Sequence, residues 1–185
     1  MDRKWLLIVL AMLSMAFIFE PHAHAEYKGK VVDAVTGEPI EGAVILMDWR
    51  RECLPFGSRS FFGAEETLAD RSGMFEIEGH KINWNPLCRI DTPHFYIYKA
   101  GYMAIDLTWH LPAFKTESIK KHLFFEGDLV VFKLHKPRTR KERQWALSTR
   151  GTFPDRYQKL LIRETNKEAK ELNLPLIKEA DDVSK

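Results

Sequence analysis

Hydrophobic and polar positions divide this chain into three regimes. Behind Arg3 and Lys4 runs an unbroken stretch of apolar and small residues from Trp5 to Phe19. From Tyr27 to His135 the pattern breaks into short runs punctuated by turn residues, and beyond Pro137 it lengthens toward helical spacing.

The middle regime reads as strands. Tyr27 to Asp33 sets Val31 and Val32 among polar neighbours, and Ala43 to Trp49 is a dense run of β-formers and other apolar residues. Between them Gly37 and Pro39 specify a tight connection, because Gly accepts positive φ and Pro fixes its own near that of a turn, and Gly42 opens the second run. Thr67 to Glu78 holds an expected hairpin turn, Asp70 to Gly73, after which Phe75 and Ile77 alternate with Glu76 and Glu78 as in a half-buried strand. FYIY before Lys99 is the next strand; Ala100, Gly101 and Tyr102 turn the chain into a run in which Met103, Ile105 and Leu107 alternate with polar or small residues. DLVVFKLH, Asp128 to His135, closes the series with Val130 or Val131 inward. Arg50 to Glu66 and Gly79 to Thr92 lose the pattern and are expected as long loops, and Leu111 to Phe125 as loop with a short helical turn. About seven short strands without crossover helices favour an all-β antiparallel sandwich over a parallel α/β sheet.

In the third regime RTRKERQWALSTR predicts a short helix carrying Trp145 and Leu147, and Thr152, Pro154 and Asp155 resemble the start of a longer one. Tyr157, Leu160, Leu161, Ala169 and Leu172 form an incomplete apolar stripe among basic residues. Such a helix either packs on the sandwich edge or presents Tyr157, Leu161 and Leu172 to a partner or an anionic surface. Glu179 to Lys185 is expected to fray.

Charge sharpens the division. Glu26 to His135 carries 13 basic and 16 acidic residues, whereas Lys136 to Glu171 carries 11 basic and 5 acidic. The chain as a whole is only +2, too little to suggest nucleic acid, and an apolar fraction of 45% is enough for a real core. The first regime reads as a secretory signal peptide, residues 1–25, since fifteen apolar residues fall short of the roughly 20 that span a bilayer and Ala23 and Ala25 have cleavage-site spacing. An uncleaved anchor is the alternative. Cleavage leaves a mature chain from Glu26 with no later spanning segment, exported to a periplasm or beyond.

Two cysteines, Cys53 and Cys88, then lie in the mature part. In an oxidising compartment one disulfide is the expected outcome, joining the two long loops; two separate thiols are the alternative. Loops of that length in a compact domain are usually functional or mobile. This makes them, with Phe56 and Trp84, a candidate binding surface.

The blocks GKVVDAVTGEPIEGAVI (Gly29 to Ile45), ADRSGMFEI (Ala69 to Ile77) and YKAGY (Tyr98 to Tyr102) resemble the carboxypeptidase regulatory-like domain, a small transthyretin-like β-sandwich. The resemblance covers residues 26–136, interrupted by the two loops, and leaves 137–185 as a basic, partly helical extension. It implies an accessory or interaction module of a bacterial cell envelope, without peptidase activity, in which Gly37, Pro39, Gly42, Asp70, Gly73 and Gly101 specify turns.

Catalytic chemistry finds little purchase. H-E-x-x-H, H-x-x-E and G-x-S-x-G are absent, and His80, His94, His110, His122 and His135 are scattered. The Tyr-Arg-Gly-Ser ending of hydroxyisourate hydrolases is missing, and Gly127 to Lys136 offers no Asn for the isopeptide bond of collagen-adhesin B-type domains. The expectation is a non-enzymatic module without cofactor or metal, engaging an envelope protein or, alternatively, a carbohydrate through loop aromatics such as Trp49, Trp84 and Phe56.

Overall fold

The structure is a computed structural model that describes residues 26–54, 57–79, 85, 87–91, 93–108, 122–127, 129–148 and 154–178. The expected signal peptide and the C-terminal residues from 179 lie outside them. Two sheets pack face to face. One has the order β4-β1-β9-β8, from β4 (Met74–Glu78), β1 (Glu26–Asp33), β9 (Leu129–Leu134) and β8 (Leu123–Glu126). The other has the order β3-β2-β6-β7, from β3 (Ser58–Leu68), β2 (Val44–Cys53), β6 (His94–Tyr98) and β7 (Ile105–Thr108), with β5 (Cys88–Ile90) added on β2. All pairings are antiparallel except β1 with β9, which run parallel; the intervening chain easily supplies the long connection such a pair needs.

The core fills the space between the sheets with Val31, Phe75, Val130, Phe132 and Leu134 from the first and Ile45, Met47, Trp49, Phe95 and Ile97 from the second. Phe95 and Phe132 stack across it with ring centroids 6.3 Å apart. Alternation places Val44, Leu46, Tyr96 and Tyr98 on the opposite face of the β3-β2-β6-β7 sheet, where they are buried too. A strand covered on both sides reads as an unbroken apolar run. That is why Ala43 to Met47 carries no polar alternation.

The cover is the C-terminal segment. Helix α1 (Arg140–Ser148) contributes Ala146, and helix α2 (Lys159–Glu171) contributes Leu161, to the cluster on this outer face. Gln158, the N-cap of α2, makes no capping hydrogen bond of its own. Glu66 on β3 supplies the acceptors instead: the N–H groups of Leu160 and Leu161 donate to its carboxylate at 2.8 and 2.9 Å, and negative charge there also suits the helix dipole. In return α2 caps the β6–β7 turn, with the N–H of Ala100 donating to Glu164 at 3.2 Å and that of Gly101 to Glu168 at 2.6 Å. The helix ends in a Schellman arrangement: Asn173 takes φ 53°, its N–H donates to the Lys170 carbonyl, and that of Leu174 to the Ala169 carbonyl.

Several expectations change. Arg50 to Glu66 is a hairpin rather than a loop, Cys88–Ile90 is a strand inside the second irregular stretch, and Leu123–Glu126 is the edge strand β8. In the first two places both faces are partly exposed, so alternation leaves no trace in the residues. The described strands number nine, not about seven. The turn Asp70 to Gly73 is not a hairpin turn, because β3 and β4 belong to different sheets and the chain crosses between them. The second helix starts at Lys159, with Asp155–Tyr157 only a 3-10 turn before it. Trp145 points to solvent at 57% exposure, and its neighbour Ala146 makes the contact.

Residues of three turn-bearing blocks, Gly29 to Ile45, Ala69 to Ile77 and Tyr98 to Tyr102, meet at one end of the sandwich. Asp33 accepts the N–H groups of Val35 and Thr36 at 2.8 and 3.1 Å on one oxygen and the Tyr102 hydroxyl at 3.0 Å on the other. The Val31 N–H donates to the Gly73 carbonyl. Gly73 has φ 77°, and a Cβ there would lie 2.5 Å from the Val31 carbonyl oxygen, so both conformation and space require glycine. Gly73→Ala is therefore expected to destabilise by at least ~2 kcal/mol, and Leu161→Ala, which opens the fully buried site under α2, by about 2–5 kcal/mol in urea unfolding. Removing residues 137–185 is expected to bare Val44, Leu46, Tyr96 and Tyr98, giving aggregation instead of a monomer in size-exclusion chromatography.

Candidate functional site

Past Asp48, β2 loses β6 as its neighbour and gains β5, after a register shift between Trp49 and Arg50 in its pairing with β3. Arg50–Cys53, Ser58–Phe61 and Cys88–Ile90 thus continue the sheet as a three-stranded arm. β5 is only three residues long, too short to hold itself in place by pairing alone. Cys53 and Cys88 stand directly opposite one another and are joined by a disulfide. The Leu54 N–H donates to the Leu87 carbonyl and that of Asp91 to the Arg50 carbonyl, both at 2.8 Å. In the chain-entropy model, closing a loop of 35 residues contributes roughly 3–4 kcal/mol.

The arm's surface is mixed. Leu54 and Leu87, beside the disulfide, are 67% and 59% exposed. The arm also carries arginines: Arg89 pairs with Glu52 at 3.3 Å and Asp91 at 3.5 Å, Arg59 with Asp91 at 3.1 Å, and Arg51 lies over the Phe62 ring. Phe61 and Tyr157 tie the arm's root to the C-terminal segment with ring centroids 5.2 Å apart.

At the arm's base three strands bring together Asp48, His94 and Asp106. His94 Nδ1 lies 3.1 Å from Asp48 Oδ2, and its Nε2 lies 2.5 Å from Asp106 Oδ1. These hydrogen bonds, Asp106 first and Asp48 second, raise the imidazole pKa from 6.5 to about 9 against the opposing effect of burial. Both ring nitrogens are occupied, so the ring has no lone pair to offer as base or ligand at neutral pH. Asp48 is buried and its Oδ1 has no hydrogen-bond partner among the described residues, with Arg50 Nε 3.7 Å away.

At the opposite end, burial opposes ionisation of Asp33, but the Val35 and Thr36 N–H groups, Tyr102 and Lys136 outweigh it and hold the pKa at about 2. Glu66 behaves differently: burial pushes its pKa up despite two N–H donors. Among the described residues no group of three or more His, Cys, Asp or Glu side chains is placed to hold a metal ion, although the His122 and His135 rings meet edge to face at 5.6 Å.

Of the residues singled out from sequence, Cys53 and Cys88 come together in the arm. Phe56 and Trp84 lie outside the described residues. Tyr157 is half-buried against Phe61, while Leu161 and Leu172 are 0% and 2% exposed, so that stripe packs on the sandwich and offers no binding surface. Gly37, Gly42, Gly73 and Gly101 all have positive φ, Pro39 bridges to Val32, and Asp70 accepts the N–H groups of Ser72 and Met74. The Asp48–His94–Asp106 array escapes sequence reasoning because its members are far apart in the chain; the one available signal is a charged residue ending an apolar run.

These features define an all-β sandwich with a disulfide-tied arm and a helical cover. No family model matches the chain, and no curated protein matches it. A solved structure described as that of the streptococcal ancillary pilin is similar at 14% identity with a TM-score of 0.32, covering 63% of this chain and 30% of that one. The chain thus spans less than a third of that protein, and nothing about function passes across so slight a likeness. Among the described residues no helix is long and apolar enough to cross a membrane.

The raised His94 pKa has a definite sign. A cation favoured by the fold adds stability that is complete below pH 6.5 and lost as the pH rises through about 9. We expect the wild-type melting temperature to fall between pH 6.5 and about pH 9, the span between the two pKa values, more steeply than that of His94→Gln. Parallel curves would contradict the array.

Proposed function

We propose that the chain is an exported, non-enzymatic member of the carboxypeptidase regulatory-like group that binds another protein in the bacterial cell envelope through its arm. Residues 1–25 act as the signal peptide, 26–136 form the sandwich domain, and 137–185 form its extension. The observation that carries this proposal is the arm itself: a disulfide holds a three-residue strand in place with Leu54 and Leu87 exposed beside it. Two large apolar side chains held next to one another in water by a disulfide and a backbone hydrogen bond offer a contact point for another protein. A disulfide also fits an oxidising compartment. Asp33, Gly73 and Tyr102, each from one of the motif blocks, converge at one end of the sandwich.

The test is to place a photo-crosslinking residue at Leu54 in the chain produced by its own host. A discrete protein adduct that disappears in Leu87→Asp, from a chain whose first residue is Glu26, is the expected result. An adduct that is glycan would transfer the arm to the carbohydrate alternative. Crosslinking unaffected by Leu87→Asp would remove the arm from the function altogether.

A further inference from the structure

Folding buries two glutamates of helix α2 and leaves most of its basic residues exposed. Glu164 and Glu168 are 3% and 1% exposed, turned toward the Ala100 and Gly101 N–H groups and toward Lys99 and Arg143. Lys167 also reaches Glu164, at 2.5 Å, from the exposed side of the helix. On α2, Lys159, Arg163, Lys167 and Lys170 follow at intervals of four, four and three residues, which at about 100° per residue makes one stripe opposite the buried face. Lys159 is half-exposed and the other three are exposed. The stripe runs for about 16 Å along the helix. Glu171, the exposed carboxylate of this helix beside it, is engaged by Arg143 at 2.6 Å.

The surroundings extend this surface. Arg140 of α1 donates to the Leu172 carbonyl at 2.5 Å, at the C-terminal end of α2. On the flank of α2, Asn166 accepts the Ile177 N–H and donates to its carbonyl, both at 2.9 Å. The segment after the helix is thereby pinned alongside, with Leu176 50% exposed.

We propose that this face of α2 docks on the anionic headgroups of a phospholipid bilayer, with Leu176 entering the interfacial layer. Four basic residues in line on an exposed helix face suit a fluid field of phosphates, and an exposed apolar residue beside them adds the shallow insertion of an interfacial helix. The basic groups line a convex helix instead of a groove, the shape that a surface, not a threaded polymer, meets. This face is distinct from the arm, so the module would rest on a membrane by one surface and keep the other for its partner.

Sedimentation of residues 26–185 with vesicles of equal parts phosphatidylglycerol and phosphatidylcholine tests this, with pure phosphatidylcholine vesicles and soluble polyphosphate as comparisons. The expected result is binding to the anionic vesicles alone, weakening steeply with salt, and reduced on the order of a hundredfold in Arg163→Gln/Lys167→Gln/Lys170→Gln. Arg163→Gln by itself should lower binding about fivefold, which keeps the test valid if the triple variant fails to fold. No binding to anionic vesicles at low salt, or binding indifferent to these changes, overturns the proposal. Binding to polyphosphate but not to vesicles overturns the choice of a bilayer.

Discussion

The burial of both faces of one sheet is the constraint on which the rest of this structure depends. β2 and β6 send Ile45, Met47, Phe95 and Ile97 into the sandwich and Val44, Leu46, Tyr96 and Tyr98 out of it, and both sets are withdrawn from water. A sandwich alone covers only the first set. The second requires the C-terminal helices, which therefore behave as a third layer.

Covering an apolar face with a charged segment decides where each charge goes. Glu164 and Glu168 turn inward because the β6–β7 turn offers N–H donors and Lys99 and Arg143 offer cations there. Glu66 reaches the other way, from the sheet to the start of α2. With these carboxylates committed to the interface, what α2 shows to water is basic apart from Glu171. The proposed membrane-facing surface is thus a by-product of how the cover is fastened, and the arm stays clear because its strands run past the last residue paired to β6.

Much of this was legible in the chain. The turns at Gly37, Gly73 and Gly101 announced themselves through glycine, and the alternation of Phe75 and Ile77 with glutamates marked a strand open to water on one side. The doubly buried run at Ala43 to Met47 was visible as a strand, yet nothing local said what lay on its second face. The arm was illegible because Arg50 to Phe61 is exposed on both sides, so period-two alternation never formed. Its cysteines supplied the only cue. Leu161 and Leu172 had the spacing of an amphipathic helix, but spacing cannot distinguish a face turned to its own sheet from one offered to a partner. The Asp48–His94–Asp106 array depends on register across three strands, which local sequence does not encode.

Hydrogen exchange on residues 26–185 tests the central claim that the helical cover and the sandwich fold as one unit. The account predicts that amides of α2 from Leu161 to Ala169 and those of β2 and β6 share similarly slow exchange and lose protection together as urea is added. If α2 exchanged freely while the strands stayed protected, the C-terminal segment would be an appendage, and the assignment of its inner and outer faces would fall.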